Sequence, residues 1–229
     1  MTETKPIKIC RAILHPKNEA ARISSAQLRG YAGYLFLDDK EFHHHGEKVY
    51  HYPLIQYKTI RGQSVIIGLG EYAGILAGKI GQMDCIITYK GEHPIGSVEL
   101  VMRSHTIESK KMAYRFITPW IALNEENYHK FEKLDETEQK AFLERILVGN
   151  VLSALKGLGM FIDWRLEAIL LEWRTTKVRA HQNEFMAFWG VFCIDISLPD
   201  WIGLGKSVSK GFGTIERVVK PEAAPVPTT

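Results

Sequence analysis

The chain has 229 residues, enough for one large domain or two small ones, and its 45% apolar and 24% charged residues are those of a globular protein with an ordinary core. A net charge of +3 predicts no partner by itself, and three widely spaced cysteines exclude both a disulfide framework and a CxxC metal knuckle. The opening MTETKPIKICRAIL lacks the apolar core of a secretory signal and no apolar run approaches spanning length, so a cytoplasmic protein with reduced thiols is expected.

In chain order, IKICRAILH reads as a strand, and Ser24 or Ser25 can cap a helix whose Leu28, Tyr31, Ala32 and Leu35 recur at helical spacing. YPLIQYKTI and SVIIGL form a hairpin around Arg61-Gly62, YAGILAGKI a short helix and DCIITYK a closing strand, which together make a βαββαβ ferredoxin-like unit. From about Lys110 the rhythm restarts. MAYRFITPWIAL is a strand, and a long helix begins near Asp135 with Glu138 completing a capping box. Its buried face is expected at Phe142, Ile146, Leu152 and Leu155, and Gly157 with Gly159 ends it. WRLEAILLEWRTTKVRA and EFMAFWGVFCIDISL follow as β-rich runs joined near Gln182-Asn183, and their Trp164, Trp173, Trp189 and Phe192 are read as core. Only PDWIGLG then precedes the last strand, GTIERVV.

The expected fold is therefore α+β, two tandem ferredoxin-like (RRM-like) domains, the second with a reduced second helix and a glycine-rich loop. The domains span 1–105, with a histidine cluster, and 106–220, with the loop; the Pro- and Ala-rich 221–229 is a disordered tail.

That loop, GLGKSVSKGFGTIER, combines Gly203, Gly205, Gly211 and Gly213 with Lys206, Lys210, Ser207 and Ser209, a composition suited to phosphate. It is not a P-loop, because Asp200 stands where that motif needs its first glycine, and it lacks the third glycine and βαβ setting of a dinucleotide fingerprint. The alternative is a flexible surface hairpin. Cations concentrate here and at Arg165, Arg174, Lys177, Arg179 and His181, a local basic character that suits nucleic acid.

Two βαββαβ halves ending in IGLGKSVSKGFGTIERV resemble the RAMP superfamily of CRISPR systems. Within it, that signature is similar to the terminal glycine-rich signature of the repeat-processing endoribonucleases, and LRGYAGYLF, FHHH and YHYPLIQYK are similar to the N-terminal half of their type I-B-like branch. The resemblance implies a metal-independent endoribonuclease that cuts CRISPR repeat RNA in the precursor transcript by 2′-OH attack, leaving a guide RNA with a 5′ handle and a 2′,3′-cyclic phosphate. It implies no cofactor and no metal. CRISPR repeat RNA, single-stranded or as a stem-loop, is the expected partner. A CRISPR effector complex and a second copy of the chain stand as candidate partners, and a membrane does not. A binding protein of the same fold without cleavage is the alternative.

Such cleavage needs one group to take the 2′-OH proton and another to protonate the departing 5′ oxygen, and histidine suits both. EFHHHGEKVYHYPLIQYK directly follows the first helix, where the family places its catalytic histidine. In an extended segment His43 and His45 share a face while His44 points away. His45 is favoured, being nearer the Gly46 turn and Tyr52, whose hydroxyl can orient the phosphate or assist proton transfer. His44 fills the gap between the two histidines expected of the branch, so which one acts stays open. Arg29 or Lys48 is the candidate to neutralise charge on the phosphorus. The RNA-binding set is the loop, Gly203, Gly205, Lys206, Ser207, Ser209, Lys210, Gly211, Phe212 and Gly213, extended by Arg174, Lys177 and Arg179. Phe212 is read as the loop's core anchor rather than a base platform. A histidine zinc site is a further reading, disfavoured because no cysteine lies near His43 in sequence.

Overall fold

A computed structural model describes residues 6–18, 20–36, 51–180 and 183–219. The first lobe runs β1 (Ile7–Pro16), α1 (Ser25–Leu35), β2 (Ile55–Ile60), β3 (Gln63–Leu69), α2 (Tyr72–Lys79), β4 (Cys85–Thr88) and β5 (Gly91–His105), in a sheet of order β2-β3-β1-β5-β4. Ser24 caps α1 and exchanges bonds with Gln27 in a full capping box. Arg61 and Gly62, both at positive φ, make the tight β2–β3 turn whose register pairs Ile60 with Gln63.

The closing strand of this unit is not DCIITYK. That segment supplies β4, a short partner at the edge, while the 15-residue β5 lies beside β1 and takes the fourth ferredoxin position. Mostly exposed or half-exposed along its length and carrying Pro94, β5 shows no apolar run; its pairing with β1 defines it.

The second lobe runs β6 (Met112–Phe116), α3 (Glu125–Phe131), α4 (Glu136–Gly157), β7 (Ala168–Ala180), β8 (Asn183–Ile194) and β9 (Ile215–Arg217), with sheet order β7-β8-β6-β9. β6 stops at Phe116, and beyond Pro119 only Trp120 rejoins β8 by a bridge to Phe188. Asp135 caps α4 in a capping box with Glu138. The buried face of α4 is Leu143, Leu147, Val151, Ala154 and Leu155, with Leu152 turned to solvent, one step round from the expected stripe. Where a second helix would close this unit there is one 3-10 turn, Val208–Lys210.

β1 reads as a nearly unbroken apolar strand because both its faces are covered. Cys10, Ala12 and Leu14 join a core with Leu28 and Ala32 of α1 and Ala73 and Leu76 of α2. Ile7, Ile9 and Ile13 join a second core that continues through Trp120, Leu143 and Leu147 to Phe188 and Phe192. The lobes thus share one apolar interior. Two polar straps reinforce it. Arg11 of β1 lies 4.5 Å over the Trp201 ring and donates to the Asp200 carbonyl at 2.7 Å, and Glu216 of β9 receives Arg61 at 2.9 Å and Arg115 at 2.7 Å. The three cysteines are free. Among the described residues no helix is long and apolar enough to cross a membrane.

Candidate RNA-binding cleft and active site

The glycine-rich loop folds back on itself through a bridge between Gly203 and Thr214. Its backbone amides are largely spoken for. Gly203 donates to Gln56 Oε1 (3.0 Å), Leu204 to Gly213 (2.9 Å), Lys206 to Ile121 (2.9 Å), Lys210 to Ser207 (2.9 Å), Gly211 to Val208 (3.0 Å) and Gly213 to Pro119 (2.8 Å). A phosphate cradle needs unoccupied N–H groups, so the buried Gly203, Gly211 and Gly213 shape the loop's path, and the side chains of Lys206, Ser207, Ser209 and Lys210 supply further donors. Gly213 is the tightest point. It holds φ +63, and a Cβ there would overlap the Leu204 carbonyl. Gly213→Ala is expected to lose about 2–4 kcal/mol of stability, read as a fall in urea midpoint; an unchanged midpoint would contradict this packing.

Of these donors Lys210 lines a cleft of about 500 Å³ between the lobes, together with Ser25, Thr59, Arg179 and Phe212. Arg29 from α1 stands close by. Partial burial first, and then this like charge, hold the Lys210 ammonium below its ordinary value. Cations from α1, β7 and the loop thus converge, although they lie up to 181 positions apart (Arg29 to Lys210). Phe212 is half-buried against Ile121, Ala180 and Ala187. Of the other β7 cations, Arg174 lies over the Trp189 ring and Lys177 pairs with Glu184 at 2.9 Å; neither lines the cleft. Lys206 is exposed, and Ser207 and Ser209 are half-exposed on the same loop.

Beneath the loop lie groups of opposite character. The buried Tyr52 hydroxyl donates to the Gly203 carbonyl at 2.8 Å, and Gly157 at the end of α4 is glycine because a Cβ there would press on the Tyr52 ring stem. Instead of presenting that proton to a phosphate, Tyr52 tethers the chain that leaves the histidine segment to the loop. Lys58 is fully buried, its Nζ makes no hydrogen bond among the described residues, and a Cβ on Gly203 would come within 2.8 Å of it. Burial alone pushes its ammonium down to about 7. Sequence places Lys58 merely among the cations near the histidines, and Gln56 gives no signal at all. Their burial follows from a loop about 150 positions away that closes over edge strand β2.

His43, His45 and Lys48 lie outside the described residues, as does 221–229. Their segment leaves the buried Phe36 at the end of α1 and re-enters at exposed His51, one residue before the Tyr52 tether.

Comparison with known proteins fits this arrangement. The model of the Cas6b N-terminal domain matches residues 5–106 and that of the Cas6b C-terminal domain residues 106–218. A crystal structure of Cas6b is 29% identical and superposes with a TM-score of 0.84 over 93% of this chain and 100% of that chain. A second, of the CRISPR RNA processing endoribonuclease Cas6b, is 28% identical with a TM-score of 0.73 over the same shares. An uncharacterised protein of Methanocaldococcus jannaschii is 42% identical over 123 residues, 54% of this chain and 84% of that protein.

Proposed function

Since the chain belongs to the Cas6b family, matching its two domain models end to end, we propose that it is an endoribonuclease that cuts CRISPR repeat RNA without a metal. The observation that carries this reading is the cationic cleft between the lobes, with Arg29, Arg179 and Lys210 around it and the exit of the histidine segment tied to the same loop through Tyr52 and Gly203. RNA phosphates lie along the cleft, and one ribose–phosphate linkage reaches His43 and His45. One imidazole takes the 2′-OH proton as the O2′–P bond forms. The P–O5′ bond breaks, and the other imidazole protonates the departing O5′. The products are a 2′,3′-cyclic phosphate and a 5′-hydroxyl that begins the guide RNA handle. Arg29, whose charge acts on Lys210, or else Lys48 stabilises the phosphorane charge.

Incubating the protein with repeat RNA in EDTA tests this reading. One cut per repeat with a 2′,3′-cyclic phosphate end is expected; tight binding of uncut RNA would instead mark a binding protein of the same fold. The side-chain contacts are tested separately. Lys206→Ala with Lys210→Ala removes two cations, so the slope of log K against log salt is expected to shallow by about 1.4 for single-stranded repeat RNA. An unchanged slope would place the phosphates elsewhere.

A further inference from the structure

Backbone contacts position RNA, while contacts to base edges specify it. A second cavity, of about 370 Å³, lies where the start of the glycine-rich loop meets α3 and α4. One face of α4 supplies Ile146, Gly149, Asn150 and Ser153, at helical spacing i, i+3, i+4, i+7. Asn124 and Asn127 come from the start of α3, and among the described residues Lys206 is the single charged one in the lining, with no carboxylate.

The amides are held in fixed states. Trp120, 1% exposed and stacked 5.0 Å from Phe116, donates its indole N–H to Asn150 Oδ1 at 2.9 Å. Asn150 therefore presents its Nδ2 donors, with one Oδ1 lone pair taken by the indole. Asn124 is committed the same way, its Oδ1 accepting from the Asn127 amide at 2.7 Å. The loop side is equally fixed. Gly205, at φ +90, lies so close to the indole that a Cβ would stand 2.7 Å from Trp120 Nε1, and the Lys206 amide bonds Ile121 at 2.9 Å. The result is a slot with an aliphatic wall, oriented amide donors, a Ser153 hydroxyl and one ammonium at its rim.

We propose that this cavity receives one unpaired base of the repeat RNA, with Asn150 and Asn124 donating to acceptors on its edge and Lys206 holding the adjoining phosphate. Amide side chains match the carbonyl and ring-nitrogen acceptors of a base, and proteins read single-stranded RNA through splayed-out bases held in this way. A charged small ligand would instead call for a second charge in the lining. The proposal rests on the endoribonuclease reading above and adds where that enzyme gains its sequence preference.

Gly149→Leu tests it. A Cβ at Gly149 meets nothing within 4 Å, so leucine enters open space and improves helix propensity; the variant is expected to melt no lower than the parent. Binding is measured with repeat RNA carrying 2′-deoxyribose at the cut position and a single abasic site moved along it. One abasic position is expected to weaken the parent by about ten-fold or more. Gly149→Leu is expected to show the same loss with intact RNA and no further loss at that abasic position. The proposal is overturned if Gly149→Leu binds intact RNA like the parent, if no abasic position matters, or if the abasic loss persists in full in the variant. Should Gly149→Leu melt lower, Ser153→Phe fills the cavity from the next turn of α4 and is read the same way. Normal salt-dependent binding by the parent alongside any of these failures would remove the base pocket and leave the endoribonuclease reading standing, whereas a parent that binds no repeat RNA would remove both.

Discussion

Lys58→Met is expected to stabilise the protein by about 3–4 kcal/mol at pH 7. The reason is the cost of a desolvated amine. Lys58 is completely buried beneath the glycine-rich loop without a hydrogen-bond partner among the described residues, and burial lowers its pKa from 10.5 to about 7. The unfolded chain therefore binds one more proton than the folded chain between pH 7 and 10.5. Stability of the parent rises with pH across that window by about 1.4 kcal/mol per unit, and the penalty is complete below it. Methionine has similar length and no charge to desolvate. Urea unfolding of parent and variant at pH 7 and pH 10 checks this, with the gap between them expected to shrink at the higher pH. A variant less stable than the parent at pH 7, or a gap independent of pH, would mean that the amine has a partner.

The second large effect concerns catalysis. His45→Ala is expected to slow repeat cleavage by about 10²–10⁴-fold while repeat affinity stays within a few-fold, because general acid–base catalysis acts on the barrier and phosphate contacts act on binding. His43→Ala, if it removes the acid, gives a loss of the same order. The rate–pH profile then separates the roles. With both imidazoles acting, the parent shows a bell, and each variant loses one limb of it. Single-turnover cleavage across pH 5–9 reads both effects. Normal rates in both variants would remove these histidines from the chemistry.

Much of this architecture is written locally in the chain. The helix start at Ser24 or Ser25, the Asp135 capping box, the Arg61-Gly62 turn and the shrunken second helix of the second lobe each depend on neighbours within a few residues, and sequence shows them. What sequence conceals depends on distant partners. β5 alternates at Val98, Leu100 and Met102 yet leaves Leu100 and Met102 exposed, and it takes its place because β1 offers it an edge. α4 has apolar residues over a wide arc, so the long β-sheet beneath it chooses Leu143, Leu147 and Val151 over Leu152.

The site divides along the same line. The loop's glycines and lysines advertise phosphate chemistry, but composition does not reveal that the amides of Gly203, Lys206 and Gly213 are taken by Gln56, Ile121 and Pro119, and those of Leu204, Lys210 and Gly211 by carbonyls of the loop itself. A lysine in a strand normally reads as solvated, and only the loop closing over β2 makes Lys58 a buried base. Arg29, Arg179 and Lys210 stand far apart in sequence, and their convergence is a property of how the lobes share a core.

The most direct measurement is photocrosslinking from the scissile position. A repeat RNA with 2′-deoxyribose at the cut site and a short photoreactive group on that phosphate is bound to the protein, irradiated, and the attached peptides identified by mass spectrometry. Crosslinks to both the segment from His43 to Tyr52 and the loop from Gly203 to Gly213 are expected. Crosslinks confined to the loop, with the histidine segment never labelled, would contradict an imidazole and the glycine-rich loop meeting around one phosphate.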